Sequence, residues 1–259
     1  MGGPVAITRE VSPDLAACEL THQPRVPIDI GLARAQHRGY VDALVEAGCS
    51  IEQLPAEAGM PDAVFVEDTA VVLDELAIIM RPGAESRRGE VSAVARALSR
   101  YRRLESIAAP ATADGGDVLV SGPRVFVGRS TRTNGEAIEQ MRDILAPHGY
   151  TVCEAVARNC LHLKSAATSI GQQLLLVNPA WIDTAVFAGF TCVAVDPDEP
   201  AAANALRLAD RVIFPSTFPK TAERLRRRGV RVRAVNVAEL AKAEGAVTCC
   251  SLIVPARQD

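Results

Sequence analysis

No apolar run in the 259-residue chain approaches the ~20 residues that a membrane-spanning helix needs, and no charge of one sign dominates, with 28 Lys and Arg against 31 Asp and Glu. The first absence argues against a membrane span. The second leaves no overall field for nucleic acid or an anionic membrane, so a charged ligand has to be met locally. Seven cysteines are present, but their number is odd and none has C-x-x-C spacing, which suggests neither a disulfide framework nor a zinc site. The phosphate-binding G-x-x-x-x-G-K-[ST] loop, the G-x-S-x-G elbow and a zinc-type histidine pair are also missing, so nucleotide-dependent and metallohydrolase readings lose most of their support. The first fourteen residues carry no basic stretch followed by an apolar one, and Ala6 stands where a myristoylated Gly2 would require Ser or Thr. A cytoplasmic protein with reduced thiols is expected.

What is present suits a globular fold. Apolar residues make up 48% of the chain and charged residues 23%, which excludes a low-hydrophobicity disordered chain. Short Val- and Ile-rich stretches bounded by turn residues predict strands at 71–73, 77–80, 118–120, 125–127, 174–177 and 212–214. Helical spacing lies between them. Asn134 caps a segment with Ile138, Met141 and Leu145 on one face, and Asp29 precedes Leu32, Ala35 and Leu44 ahead of Gly48. The class is therefore α/β or α+β.

A period organises these elements. Asp68, Asp117, His162, Asn204 and Cys249 begin segments of similar layout, separated by 49, 45, 42 and 45 residues. Each of the first four precedes an apolar strand, a turn, a second apolar strand and a polar or Pro-containing turn. The fifth runs out of chain, and a strand at 5–8 would complete it and close a ring. Five α/β modules around an axis are expected, with one polar residue of each directed to a common centre. The helical patterns and the absence of Trp-Asp repeats argue against an all-β propeller.

Several of these residues suit chemistry. Cys249 and Cys250 fall in an apparent strand over 245–253, where alternation gives them different environments; one can face a cleft while the other packs as a small hydrophobe. His162 is flanked by Leu161 and Leu163, a setting common for core histidines. It is still the best base or acid among the four histidines, since His22, His37 and His148 occupy a polar loop, a helix and a turn. Asp114 and Asp117 enclose Gly115-Gly116, and one of them can orient His162. Asp62, Glu67 and Asp68 surround Phe65 in an apolar stretch, where carboxylates need partners; a cationic ligand would supply them. Arg81 and Arg132 suit an anionic group. An acidic end and an Arg-lined end together fit a zwitterion with an added cation, such as an arginine derivative. The basic run at Arg224, Arg226, Arg227 and Arg228, then Arg231 and Arg233, has no interleaved aromatics and reads as a solvated face.

The ordered motifs Pro61-Asp62-Ala63-Val64-Phe65-Val66-Glu67-Asp68, Arg81-Pro82-Gly83-Ala84-Glu85-Ser86-Arg87-Arg88, Asp114-Gly115-Gly116-Asp117, Arg132-Thr133-Asn134, Leu161-His162-Leu163-Lys164 and Thr248-Cys249-Cys250-Ser251 resemble those of the dimethylarginine dimethylaminohydrolases, within the guanidino-group-modifying superfamily. The resemblance implies a five-bladed pseudo-symmetric α/β propeller of ββαβ-type modules, a single catalytic domain over residues 1–259. It implies Cys249 as nucleophile, His162 as general acid and base, and Asp114 as the orienting carboxylate, where some bacterial relatives have Glu. It further implies Asp68 with Glu67 at the guanidinium, Phe65 beside them, Arg81 and Arg132 on the substrate carboxylate, and Asp62 with the main chain near Leu20 and Ala243 at the α-amino end.

The same resemblance implies hydrolysis of asymmetric dimethylarginine and monomethylarginine to citrulline without cofactor or metal, although a Cys-His pair is a known type of inhibitory zinc site. It is compatible with a homodimer. Arginine deimination and amidino transfer are the rival reactions of the superfamily; the short chain argues against the deiminases, which usually add a helical region. A non-catalytic arginine-derivative binder is disfavoured by retention of Cys249, His162 and Asp114 together.

Overall fold

The computed structural model describes residues 3–256, so Gly2 lies outside it. Five three-stranded sheets surround one axis. In the first, β1 (Val5–Arg9) lies between β2 (Ser50–Leu54) and the last strand of the chain. The second holds β3 (Ala70–Val72), β4 (Leu76–Ile79) and β5 (Arg103–Ser106). The third holds β6 (Val118–Ser121), β7 (Arg124–Gly128) and β8 (Thr151–Ala155). The fourth holds β9 (Ala167–Gly171), β10 (Leu174–Val177) and β11 (Thr191–Ala194), and the fifth β12 (Leu206–Leu208), β13 (Arg211–Pro215) and β14 (Arg231–Val235). The last strand, β15 (Leu252–Val254), pairs antiparallel with β1, Val5 opposite Val254, so the chain's two ends close the ring as the period predicts.

Each central strand is antiparallel to its inner neighbour and parallel to its outer one. A parallel pairing requires a crossover, and helices α1 (Ile30–Glu46), α2 (Val91–Leu98), α3 (Gly135–Leu145) and, in the fifth module, Pro219–Arg227 provide it. The fourth module crosses over with only a 3₁₀ turn, Thr184–Phe187, whose buried Phe187 meets Phe126 edge to face at 4.9 Å. Asn134 and Asp29 cap α3 and α1 by accepting the N–H of Ala137 and Leu32. On α1 the buried stripe is Ala33, Gln36, His37, Tyr40, Ala43 and Leu44, whereas Leu32 is 45% exposed and Ala35 is also exposed. The expected face is thus offset: Ala33, Tyr40, Ala43 and Leu44 pack into the core, and on the same side the Gln36 amide oxygen accepts the N–H of Glu239.

Strand alternation builds the core at the module boundaries. Leu76 and Ile78 of β4 pack with Val125 and Val127 of β7, while Ala77 and Ile79 face Ile7 of the first module. Phe126 points the other way, onto Leu175 and Val177; Leu176 meets Val212 and Phe214; and Ile213 meets Ala6 and Tyr40. Every central strand is therefore buried on both faces, which makes it a short apolar run in the sequence.

A ring of polar clasps joins the same boundaries near the axis. The Asp68 carboxylate accepts Gly116 N–H at 3.0 Å, and Asp117 accepts Leu163 N–H at 2.9 Å. Thr168 Oγ1 donates to Ala203 O and accepts Ala205 N–H. Asn204 Oδ1 accepts Thr248 N–H, and Glu67 N–H donates to Cys249 O. Asp117, fully buried, also accepts from Ser130 and Thr133 hydroxyls at 2.6 and 2.7 Å. Asp117→Ala leaves three donors without this acceptor, and an expected loss of about 3–5 kcal/mol lowers the unfolding midpoint by roughly 10 °C, measurable by thermal denaturation.

Among the described residues no helix is long and apolar enough to cross a membrane, and all seven cysteines are unpaired. In the basic run, Arg224 and Arg227 on the helix Pro219–Arg227 pair with Asp196 and Glu223, and Arg231 and Arg233 on β14 pair with Asp210 and Glu46.

Candidate active site

The site lies at one end of the ring, where each inner strand is preceded by a tight turn. Asp68 is in the 3₁₀ turn Val66–Thr69 ahead of β3, and Asp114 caps the turn Gly115–Asp117 ahead of β6. His162 precedes the short helix Leu163–Ala166 ahead of β9. Cys249 lies in a turn, not in the strand expected over 245–253, because β15 begins only at Leu252. The backbone there bonds sideways instead of along a ladder: Thr248 N–H goes to Asn204 and Cys249 O to Glu67 N–H. The two thiols still part company. Cys249 lines a cavity and Cys250 is fully buried among Tyr40, Leu44 and Val247.

That cavity, about 20 Å³, brings together Cys249, His162, Asp68, Asp62, Phe65, Arg132 and Ala243. His162 Nε2 is 3.1 Å from Asp114 Oδ2, and Nδ1 is 3.8 Å from Asp68 Oδ1. Asp114, wholly buried, also accepts Gly83 N–H at 2.9 Å and lies 3.9 Å from Arg132 Nη1. A Cβ on Gly116 would stand 2.5 Å from His162 Nδ1 and 2.8 Å from Asp68 Oδ1, so glycine is what admits the imidazole here. Likewise a Cβ on Gly245 would lie 2.1 Å from the Phe65 ring.

Burial opposes the imidazolium of His162, but Asp68, Asp114 and Asp117 outweigh it and lift its pKa to about 9. Burial pushes the Cys249 thiol well above its ordinary value, and the nearby Glu67 and Asp68 carboxylates push it further. Burial likewise raises Asp62, against the pull of Arg87 and the Glu19 N–H. Asp68 resists its own desolvation and is held below the ordinary carboxylate range by His162 and Arg87. Asp68, Asp114 and His162 offer three donor atoms within 4.8 Å of one another. A metal there requires a neutral imidazole, which the raised pKa disfavours below about pH 9.

Five expected positions differ. Arg81 does not line the cavity; its guanidinium donates to Ala111 O at 3.2 Å. Leu20 packs half-buried against the core formed by α1 and the fifth module, outside the lining. Glu67 points to a second cavity of about 320 Å³ along the axis, where it accepts from Lys164 Nζ and Thr248 Oγ1, both at 2.6 Å. Of the five periodic polar residues, Asp117 and Asn204 serve as clasps and do not line the site cavity.

Sequence reasoning missed Arg87, along with Glu19, Leu161, Glu244 and Gly245 of the cavity lining. Arg87 lines the cavity and is fixed by Asp68 at 2.5 Å, by Glu90 at 2.9 Å and by the carbonyls of Asp62 and Phe65. The carboxylates around Phe65 are thus largely partnered from within the chain. The available signal was Glu90 three residues after Arg87, a pairing that a single 3₁₀ or helical turn brings together.

Residues 22–189 match a family model described as N,N dimethylarginine dimethylhydrolase, eukaryotic. The N(G),N(G)-dimethylarginine dimethylaminohydrolase of Pseudomonas aeruginosa is 36% identical over 226 residues, 86% of this chain and 89% of that one. The protein of the same name from Streptomyces coelicolor is 38% identical over 249 residues, 95% of both chains. A solved structure of the Pseudomonas aeruginosa protein, a cysteine-to-serine mutant complexed with citrulline, superposes with a TM-score of 0.93 at 34% identity, covering 98% of this chain and all of that one.

Proposed function

The chain belongs to the dimethylarginine dimethylaminohydrolase family, and from that premise we propose that it hydrolyses Nω-methylated arginines to citrulline and dimethylamine or methylamine. The observation that carries the proposal is the convergence of Cys249, His162 and Asp68 on one cavity with Arg132 in its wall and Asp114 behind the imidazole. In this reading the whole ring is one catalytic domain that acts in the cytoplasm with reduced thiols.

The resting thiol of Cys249 is protonated, because burial and two carboxylates disfavour its anion. A guanidinium arriving beside it reverses that balance, so substrate binding releases the thiol proton to solvent and creates the nucleophile while His162 keeps its own proton. The thiolate attacks the central guanidinium carbon and gives a tetrahedral adduct. His162, charged below about pH 9, protonates the methylated nitrogen, the C–N bond breaks and the amine departs. An S-alkylthiouronium on Cys249 remains. The now neutral His162 takes a proton from water as that water attacks the same carbon, the C–S bond breaks as the remaining hydroxyl proton passes to the sulfur, and citrulline leaves with the thiol and the charged His162 restored. Asp114 holds the imidazole and stabilises its cation throughout.

Asp68 serves the guanidinium, Asp62 and the main chain at Ala243 serve the α-amino group, and Arg132 serves the α-carboxylate. Arg132→Ala accordingly raises KM for asymmetric dimethylarginine by about 100-fold, the scale of a charge-assisted hydrogen-bond pair, while Arg81→Ala changes it less than about threefold. Steady-state kinetics of both variants decide this; an equal loss in Arg81→Ala returns that residue to the site.

The reaction itself is tested by product analysis with asymmetric dimethylarginine, monomethylarginine and arginine. Citrulline with dimethylamine or methylamine from the methylated substrates is the expected outcome. Ammonia and citrulline from arginine as the dominant products assign the chain to deimination, and binding without product assigns it to ligand capture.

A further inference from the structure

A further cavity, of about 380 Å³, lies on the first module, between α1 and the ends of β1 and β2, and shares no lining residue with the cavity of Cys249. Its volume is that of a small-molecule site, roughly 300–1,000 Å³. Arg34 and Arg38 line it from α1, where a spacing of four residues puts both on one face of the helix. Both are exposed, and among the described residues neither guanidinium has a hydrogen-bond or ion-pair partner. Gln53 of β2 and Glu10, just past β1, complete the polar lining together with His37.

His37 is the independent sign of a ligand. It is 2% exposed, and its Nε2 is buried without a hydrogen-bond partner, although buried polar groups are ordinarily satisfied. Burial, and then the charge of Arg38, hold its pKa down at about 4, so at neutral pH the ring is uncharged and offers one N–H donor. The platform is fixed. Asp29 caps α1, and three residues after His37 the Tyr40 hydroxyl is hydrogen-bonded to Ser251 at 2.7 Å. The Glu10 carboxylate accepts the N–H of Ala56 at 3.4 Å. Two free guanidinium groups thus face one carboxylate that the main chain already engages, and the lining selects an anion.

We propose that this cavity is a second ligand site, for a phosphate monoester, in which Arg34 and Arg38 hold the phosphate, His37 and Gln53 donate neutral hydrogen bonds, and Glu10 accepts from a hydroxyl of the organic part. A phosphate dianion carries charge and acceptor oxygens for both guanidinium forks, whereas a single carboxylate serves one. Inorganic phosphate alone leaves most of the volume unfilled, which favours an ester. The inference is independent of the hydrolase reading, because none of these residues takes part in that chemistry.

The test follows the Cε1–H resonance of His37 in the full-length protein by NMR, assigned with His37→Gln, during titration with glycerol 3-phosphate, inorganic phosphate and succinate at constant ionic strength. Glycerol 3-phosphate is expected to give a saturable shift, at lower concentration than either of the others. In Arg34→Ala and in Arg38→Ala the apparent Kd rises at least about tenfold, the scale of one charge-assisted hydrogen bond. Both side chains are exposed, so the melting temperature of each variant stays within about 2 °C of the parent. Absence of a saturable shift, or a Kd that either variant leaves unchanged, overturns the site. Equal or tighter binding of inorganic phosphate or succinate overturns the monoester assignment.

Discussion

Cys249→Ser lowers citrulline formation from asymmetric dimethylarginine by at least about 10³-fold, the scale on which loss of a covalent nucleophile is felt, while Cys250→Ser stays within about threefold of the parent. The two residues are adjacent in sequence, yet only Cys249 lines the cavity. Cys250 is fully buried, with its thiol directed to Ala246 O at 3.4 Å. A serine at 250 retains that acceptor and loses some apolar packing, so its cost of about 1 kcal/mol falls on stability and not on turnover. A serine at 249 keeps the shape but presents a hydroxyl far more reluctant to ionise than a thiol. Stopped assays for citrulline, with a melting curve for each variant, separate the two effects.

Asp114→Asn is expected to lower kcat/KM by about 10²- to 10³-fold and to move the alkaline limb of the pH profile down by about one unit or more. The hydrogen bond at 3.1 Å and the charge of Asp114 both favour the imidazolium of His162, against its burial. With asparagine the imidazole loses its proton at lower pH, and the acid that expels the amine disappears sooner. Stability follows the same sign. His162 has a pKa of about 9 in the folded chain against an ordinary 6.5, so its contribution is complete below pH 6.5 and fades as pH rises through 9. That contribution is on the order of 3 kcal/mol. Melting curves between pH 6 and 10 therefore fall less steeply in Asp114→Asn than in the parent. A profile whose alkaline limb stays in place contradicts the pairing of these two residues.

The architecture was legible because the ring repeats. Central strands buried on both faces appear as short apolar runs, and the polar residue ahead of each inner strand marks the period. Closure by residues 5–8 was legible because the fifth module lacks a strand. Side-chain direction within the tight turns was not. Asp68 and Glu67 are neighbours, but the 3₁₀ turn sends one to the cavity and the other to the axial space and Lys164. Asp117 and Asn204 occupy the same place in the period as His162 and Cys249, yet their short side chains close the module boundaries. Arg81 and Arg87 lie in one motif, and only the turn Glu85–Glu90 determines that Arg87 is carried inward. The apparent strand at Cys249 failed because Asn204 and Glu67 take up the backbone groups that a ladder would use.

Covalent catalysis at Cys249 is the central claim, and acid-quenched turnover with asymmetric dimethylarginine, followed by peptide mass analysis, tests it most directly. The account predicts that the peptide containing Cys249 and Cys250 carries the substrate less dimethylamine, with fragmentation placing the adduct on Cys249. Citrulline production with no adduct at any quench time, or with the adduct on Cys250, would contradict it.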